Sequence, residues 1–124
     1  MKRGELENLL TVIDAKLTAD MAQLSAANRR RRELEEHAAL LRLRAIEQGT
    51  LEGAAIDPID FSLAADASAA RARSAGIFED QARAMQPAVD AAKAAVRKSL
   101  AKKDVLETLL TEQKRKAVRR QGGF

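Results

Sequence analysis

The sequence predicts an all-α protein, a two-helix antiparallel coiled-coil hairpin with a longer C-terminal helix that Pro87 kinks or divides. Three observations lead to this prediction. Apolar or small residues recur at alternating steps of four and three along two stretches, which is the spacing of a coiled-coil seam. The chain has three Phe and no Trp or Tyr, so it lacks the aromatic volume of an ordinary globular core. Charged residues make up 32%, which suits long helices with large exposed faces.

The first helix is expected to run from about residue 4 to residue 48. Two of its seam positions are charged, Asp20 and Arg31, and Met21 is a candidate to replace Asp20 in its layer. Gly49 is a plausible end, since glycine readily adopts the left-handed conformation found after helices. The predicted seam is Leu6, Leu10, Ile13, Leu17, Asp20, Leu24, Ala27, Arg31, Leu34, Ala38, Leu41 and Ala45.

The turn is expected over about 49–57 and the second helix over about 58–121, so that 1–124 form a single hairpin domain. Asp57 is a good N-cap, Pro58 is favoured in the first helical turn, and Asp60 complements the helix dipole. Pro87 either bends this helix or divides it into two helices of a three-helix bundle. The predicted seam is Phe61, Ala64, Ser68, Arg71, Ala75, Phe78, Ala82, Met85, Val89, Ala92, Val96, Ser99, Lys103, Leu106, Leu110, Gln113 and Ala117.

A reversal between residues 48 and 58 sets a register for the two seams. It places Arg31 opposite Ala75 and Leu6 opposite Ser99 or Leu100. Everything beyond about residue 103 then has no partner within the chain. Uncovered aliphatic side chains are costly in water, so this predicted overhang indicates a binding surface.

The candidate partner-binding residues of the overhang fall into an apolar and a basic group. The apolar group is Val105, Leu106, Leu109 and Leu110. The basic group includes Lys114, Arg115 and Arg119, which either stabilise the negative end of the helix dipole or form a tip that enters an acidic socket.

The sequence offers little for catalysis, so we expect no enzyme, no cofactor and no metal. His37 is the single histidine and Cys is absent, which leaves no metal-ligand cluster, and capping accounts for Asp57 and Asp60. A hairpin of two helices has no pocket for a catalytic triad. The pI of about 9.8 suggests nucleic-acid binding as a possible function. Acidic residues are interleaved with the basic ones, however, and the sequence has no aromatic platform for stacking bases, so no dedicated nucleic-acid function is expected. No apolar run long enough for a signal peptide or a membrane span follows the N-terminus.

The chain resembles the flagellar FliJ family, stalk proteins of the type III export apparatus related to the YscO-type proteins of injectisomes. The resemblance depends on the alanine-rich hairpin pattern and on Leu106-Glu107-Thr108-Leu109 followed by basic residues, which matches a "Leu-Glu-x-Leu" stretch typical of the family. It adds Glu107 to the candidate residues. It implies a cytoplasmic protein, peripheral at the inner face of the cell membrane, that docks into the export ATPase hexamer and contacts the export gate membrane protein and export chaperones. Pro87 departs from an uninterrupted rod.

Two alternatives from other classes remain open. The first is an export chaperone that binds a secreted subunit through its C-terminal amphipathic helix. The second is a structural coiled-coil tether, which would form a stable homodimer, whereas a stalk would be a monomer that stimulates a partner ATPase.

Overall fold

The chain is all-α over the residues that the structure describes, as predicted. The computed structural model describes residues 2–52 and 58–122, with the side chains of 48–52 excepted. It contains α1 (Arg3–Glu52), α2 (Pro58–Ala84) and α3 (Gln86–Gln121). No strand occurs in these two ranges.

Helix α1 starts close to its predicted position and continues past its predicted end. The amide of Lys2 donates to Glu5 at 3.3 Å, and the amide of Leu6 donates to the carbonyl of Lys2 at 3.1 Å, so polar groups of the first turn have partners. The prediction that Gly49 ends the helix is wrong, because α1 runs on to Glu52. One glycine costs a helix about 1 kcal/mol, too little to stop it. The predicted turn beyond Glu52 and the predicted N-cap, Asp57, lie outside the described residues.

The seam predicted for α1 is confirmed at every position. All twelve of its members are buried or half-buried, while among the other described side chains of this helix only Asn28 is not exposed. Asp20 is itself only 7% exposed and Met21 is 55% exposed, so Met21 does not replace it. The alternating spacing therefore identified the packed side of the helix correctly.

The second seam is confirmed except at its two ends. Ala75, Ala82, Val89 and Ser99 are buried, and the remaining interior members are half-buried. Phe61 is 47% exposed and Ala117 is exposed, so these two predictions are wrong.

The described residues fall into two compact units. Unit 1 consists of the described parts of Met1–Ala26 and Val89–Phe124, and unit 2 consists of Ala27–Ala88. Helix α1 contributes its first half to unit 1 and its second half to unit 2.

Unit 1 packs the start of α1 against α3 in antiparallel directions. Lys103 forms an ion pair with Asp14 at 2.9 Å, and the hydroxyl of Ser99 donates to Asp20 at 2.6 Å. The residue number falls along α3 as it rises along α1, which fixes the antiparallel direction.

Unit 2 packs the second half of α1 mainly against α2, also antiparallel. Arg42 pairs with Glu79, and the hydroxyl of Ser68 donates to the carbonyl of Ala45 at 3.0 Å. Farther along, His37 stacks on Phe78 with ring centroids 5.7 Å apart.

The predicted register between the seams is wrong. It placed Ala75 opposite Arg31, but Arg31 donates from Nη1 to Gln86 at 2.9 Å. Likewise the partner of Asp20 is Ser99, whereas the predicted register gives Gln86. For these two pairs the displacement is eleven and thirteen residues, or three to four helical turns. A seam that repeats every seven residues still meets a seam after such a shift, so the spacing alone leaves the register undetermined.

A one-residue break separates α2 from α3 near Pro87. Met85 has turn geometry, and its amide donates to the carbonyls of both Ala82 at 3.1 Å and Gln81 at 3.2 Å. Pro87 has no amide hydrogen to donate to Arg83, and its ring crowds that carbonyl. The helix is thus interrupted at Met85, two residues before the proline. Pro87 itself lies in the first turn of α3, where proline is tolerated.

Candidate docking surface

An exposed row of aliphatic side chains runs along one side of unit 1 and uses both of its helices. Leu9 and Val12 of α1 are 42% and 65% exposed, and Val105 and Leu109 of α3 are 59% and 40% exposed. We call these four residues the apolar face. Each directly precedes a seam residue, so on each helix the pair lies on the flank of the packed side.

The apolar face borders a shallow groove with a floor made by the seam. The groove has a volume of about 590 Å³. Ile13, which is 7% exposed, and the half-buried Leu106 lie between Val12 and Val105. Farther along, Leu109 adjoins Leu6, which is 1% exposed. The two packed helices therefore form the base of the groove.

Charged side chains flank the apolar face with opposite signs at its two ends. Lys16 and Lys102 line the groove beyond Val12 and Val105. At the other end, helical spacing places Glu5 in line with Leu9, and Glu112 lies beside Leu109. The surface is thus an apolar centre with two lysines at one end and two glutamates at the other, where Lys116 also lies near Glu112.

The structure separates the predicted apolar candidates into exposed and packed ones. Val105 and Leu109 belong to the apolar face, while Leu106 and Leu110 are half-buried on the seam. The prediction that residues beyond about 103 have no partner in the chain is wrong. Lys103 already pairs with Asp14, and farther along Leu109 and Gln113 line a small pocket together with Leu6. The register shift is the cause, since it brings the start of α1 alongside the end of α3.

The structure places Glu107 away from the apolar face. Glu107 lies about 200° around the helix from Val105. Its carboxylate is 3.9 Å from the ammonium group of Lys103. Lys103 is held mainly by Asp14, whose hydrogen bond and negative charge raise the pKa of this lysine.

The predicted basic residues lie farther along α3 than the apolar face. Lys114, Arg115 and Arg119 are exposed and surround Val118, which is 67% exposed. Within the described ranges no ion pair joins any of these three to an acidic side chain. They remain free to meet an acidic partner.

Sequence reasoning missed the contribution of α1 to this surface. Leu9 and Val12 are large aliphatic residues one step before the seam positions Leu10 and Ile13, and that spacing was readable. The register predicted from sequence leaves the end of α3 uncovered, and therefore assigns the binding surface to α3 alone.

A buried polar cluster lies in the seam of unit 1. The carboxylate of Asp20 accepts from Ser99 at 2.6 Å and from Lys16 at 3.1 Å, while Ser99 is 1% exposed. The hydrogen bond from Ser99, followed by that from Lys16, lowers the pKa of Asp20 below its ordinary value of 3.8. A buried carboxylate with this partner disfavours any register that separates the two residues.

Neither a metal cluster nor a membrane span was found in the part of the chain that the structure describes. No group of three or more His, Cys, Asp or Glu side chains there could hold a metal ion. None of the helices, over the same residues, is long and apolar enough to cross a bilayer. No protein-family model, curated protein or solved structure matches this chain.

Proposed function

We propose that the chain is a non-enzymatic coiled-coil hairpin protein that works by docking, and that the apolar face is its docking surface. The observation that supports this most directly is the exposure of Leu9, Val12, Val105 and Leu109 side by side on two packed helices. Contiguous exposed aliphatic side chains between charged ends are typical of protein-binding surfaces. The two confirmed seams and the antiparallel contacts in each unit support the hairpin.

The partner we propose comes from the resemblance to the FliJ family. It is an export ATPase hexamer, with the export gate membrane protein and export chaperones as further contacts, and the chain acts as a stalk at the inner face of the cell membrane. The exposed basic residues Lys114, Arg115 and Arg119 support this role, since they offer a positive end to an acidic socket.

The test measures binding to the purified export ATPase of the source cell and its rate of ATP hydrolysis. We expect the wild-type chain to bind and to raise the rate. Val105→Asp places a charge in the apolar face and should abolish most of both effects. Substitution of the seam residues Leu106 and Leu110 is a poorer test, because it would also disrupt packing against α1.

Leu100→Asp is the matched control for Val105→Asp. Leu100 is 43% exposed on the same helix and lies about 140° or more around it from the apolar face, so the variant replaces an exposed aliphatic side chain by the same charge away from the proposed contact. Wild-type behaviour of both variants would contradict docking through the apolar face. Failure of the wild-type chain to bind the ATPase would contradict the stalk role, and tight one-to-one binding to an export substrate would favour the chaperone.

A further inference from the structure

The charges that flank the apolar face have a regularity that a general docking surface does not need. On α1, Glu5 lies four residues before Leu9, and Lys16 lies four residues after Val12. About the middle of residues 5–16, the aliphatic Leu9 on one side therefore matches the aliphatic Val12 on the other. At a greater distance from the middle, the acidic Glu5 matches the basic Lys16.

Helix α3 repeats the same arrangement in unit 1. Lys102 lies three residues before Val105, and Glu112 lies three residues after Leu109. Because the helices are antiparallel, both lysines lie at one end of the apolar face and both glutamates at the other. The surface therefore has opposite charges at equal distances from a common centre.

We propose that the apolar face binds a second copy of this chain, with the two copies related by a two-fold axis through its centre. Such an axis reverses the direction of each helix and lays α1 on α1 and α3 on α3. Lys16 then meets Glu5 of the other copy, and Lys102 meets Glu112, while the aliphatic side chains pack on one another. A surface that complements itself in this way is what a closed symmetric dimer requires.

The participating side chains are available for this contact. Glu5 and Lys102 are exposed, as is Glu112. Lys16 holds Asp20 at 3.1 Å, yet its side chain is 53% exposed, so it retains donors for a second carboxylate. Burying four aliphatic side chains from each copy provides the attraction, and the four intermolecular ion pairs fix the direction.

The length of the interface is limited by the next charges on α3. Lys98 and Lys116 lie four residues outside Lys102 and Glu112, so the same axis sets like charges against each other there. The complementary stretch is about three helical turns on each helix. An interface of this size is small, and we expect a reversible dimer rather than a permanent one.

This inference rests on the proposed docking role of the apolar face, and because the dimer is reversible, a second copy and the ATPase would occupy that face in turn. The experiment needs only the purified chain of residues 1–124. Sedimentation equilibrium should show a concentration-dependent dimer. Lys102→Glu and Glu112→Lys should each weaken dimerisation roughly tenfold, because each replaces two attractive pairs by two repulsive ones. The double variant Lys102→Glu, Glu112→Lys should restore the wild-type dissociation constant.

The rescue by the double variant separates charge pairing from damage to the fold. Circular dichroism of each variant should show unchanged helicity, since both residues are exposed. A wild-type chain that stays monomeric at every concentration would overturn the inference, as would a double variant that dimerises no better than the single ones. A chain that stays monomeric and still binds the ATPase would contradict this inference alone. A chain that dimerises but does not bind the ATPase would contradict only the proposed stalk function.

Discussion

The packing of Leu6 offers a quantitative test of the register in unit 1. Leu6 is 1% exposed and lies beside Leu109 near the end of α3. Leu→Ala at a buried site costs about 2–5 kcal/mol. A layer of two helices relaxes more easily than a thick core, so we expect Leu6→Ala to lower the free energy of unfolding by about 2–3 kcal/mol.

Two leucines of α3 with nearly equal exposure allow the register itself to be tested. Leu109 is 40% exposed and Leu100 is 43% exposed. The structure places Leu109 beside Leu6, whereas the register predicted from sequence places Leu100 there. In double-mutant cycles with Leu6→Ala, we expect a coupling energy of about 0.5–1 kcal/mol for Leu109→Ala and close to zero for Leu100→Ala.

The assay is urea unfolding followed by circular dichroism at one protein concentration, low enough to dissociate the proposed dimer. Linear extrapolation gives the free energy of unfolding of each variant. Coupling of Leu6 to Leu100 instead of Leu109 would refute the observed register. A loss below about 0.5 kcal/mol in Leu6→Ala would show that the start of α1 is not packed on α3.

Three further predictions concern the helices and the polar contacts. Gly76→Ala should raise the free energy of unfolding by about 0.5–1 kcal/mol in urea titrations, since a Cβ there meets no atom within 4 Å; a loss of stability would contradict the open space. Ser99→Ala should destabilise the chain near neutral pH, and the deficit should shrink as the pH falls through 3.8 and below, because the lowered pKa of Asp20 stabilises the fold only while that carboxylate is ionised; a pH-independent deficit in melting curves would contradict it. A double-mutant cycle on Arg42 and Glu79, each changed to Ala, should give a coupling below about 1 kcal/mol that weakens with added salt, since both side chains are partly exposed; a larger, salt-independent value would contradict it.

The packed side of each helix was predictable from the sequence because burial follows helical geometry. A residue spacing of four and three keeps side chains on one side of a helix whatever covers them. Arg31 and Asp20 were placed on the seam despite their charges, and both are half-buried or buried. Three features of the helices were not predicted correctly. They are the continuation of α1 past Gly49 and the exposure of Phe61 and Ala117, and all three depend on the ends of the seams.

The candidate site was only half predictable, because its members come from two helices. Val105 and Leu109 were identified on α3, whereas Leu9 and Val12 became part of the surface only when the register brought them alongside. Glu107 matched a sequence pattern but lies away from the apolar face.

The sequence by itself determined that the chain is helical and which side of each helix is packed, since both follow from the local repeat. Only the tertiary structure decided which turn of α1 meets which turn of α3. A repeating seam offers several registers with similar apolar contacts, so the choice depends on individual side chains, such as the buried hydrogen bond from Ser99 to Asp20. That choice covers the end of α3 with the start of α1 and assembles the apolar face from both helices.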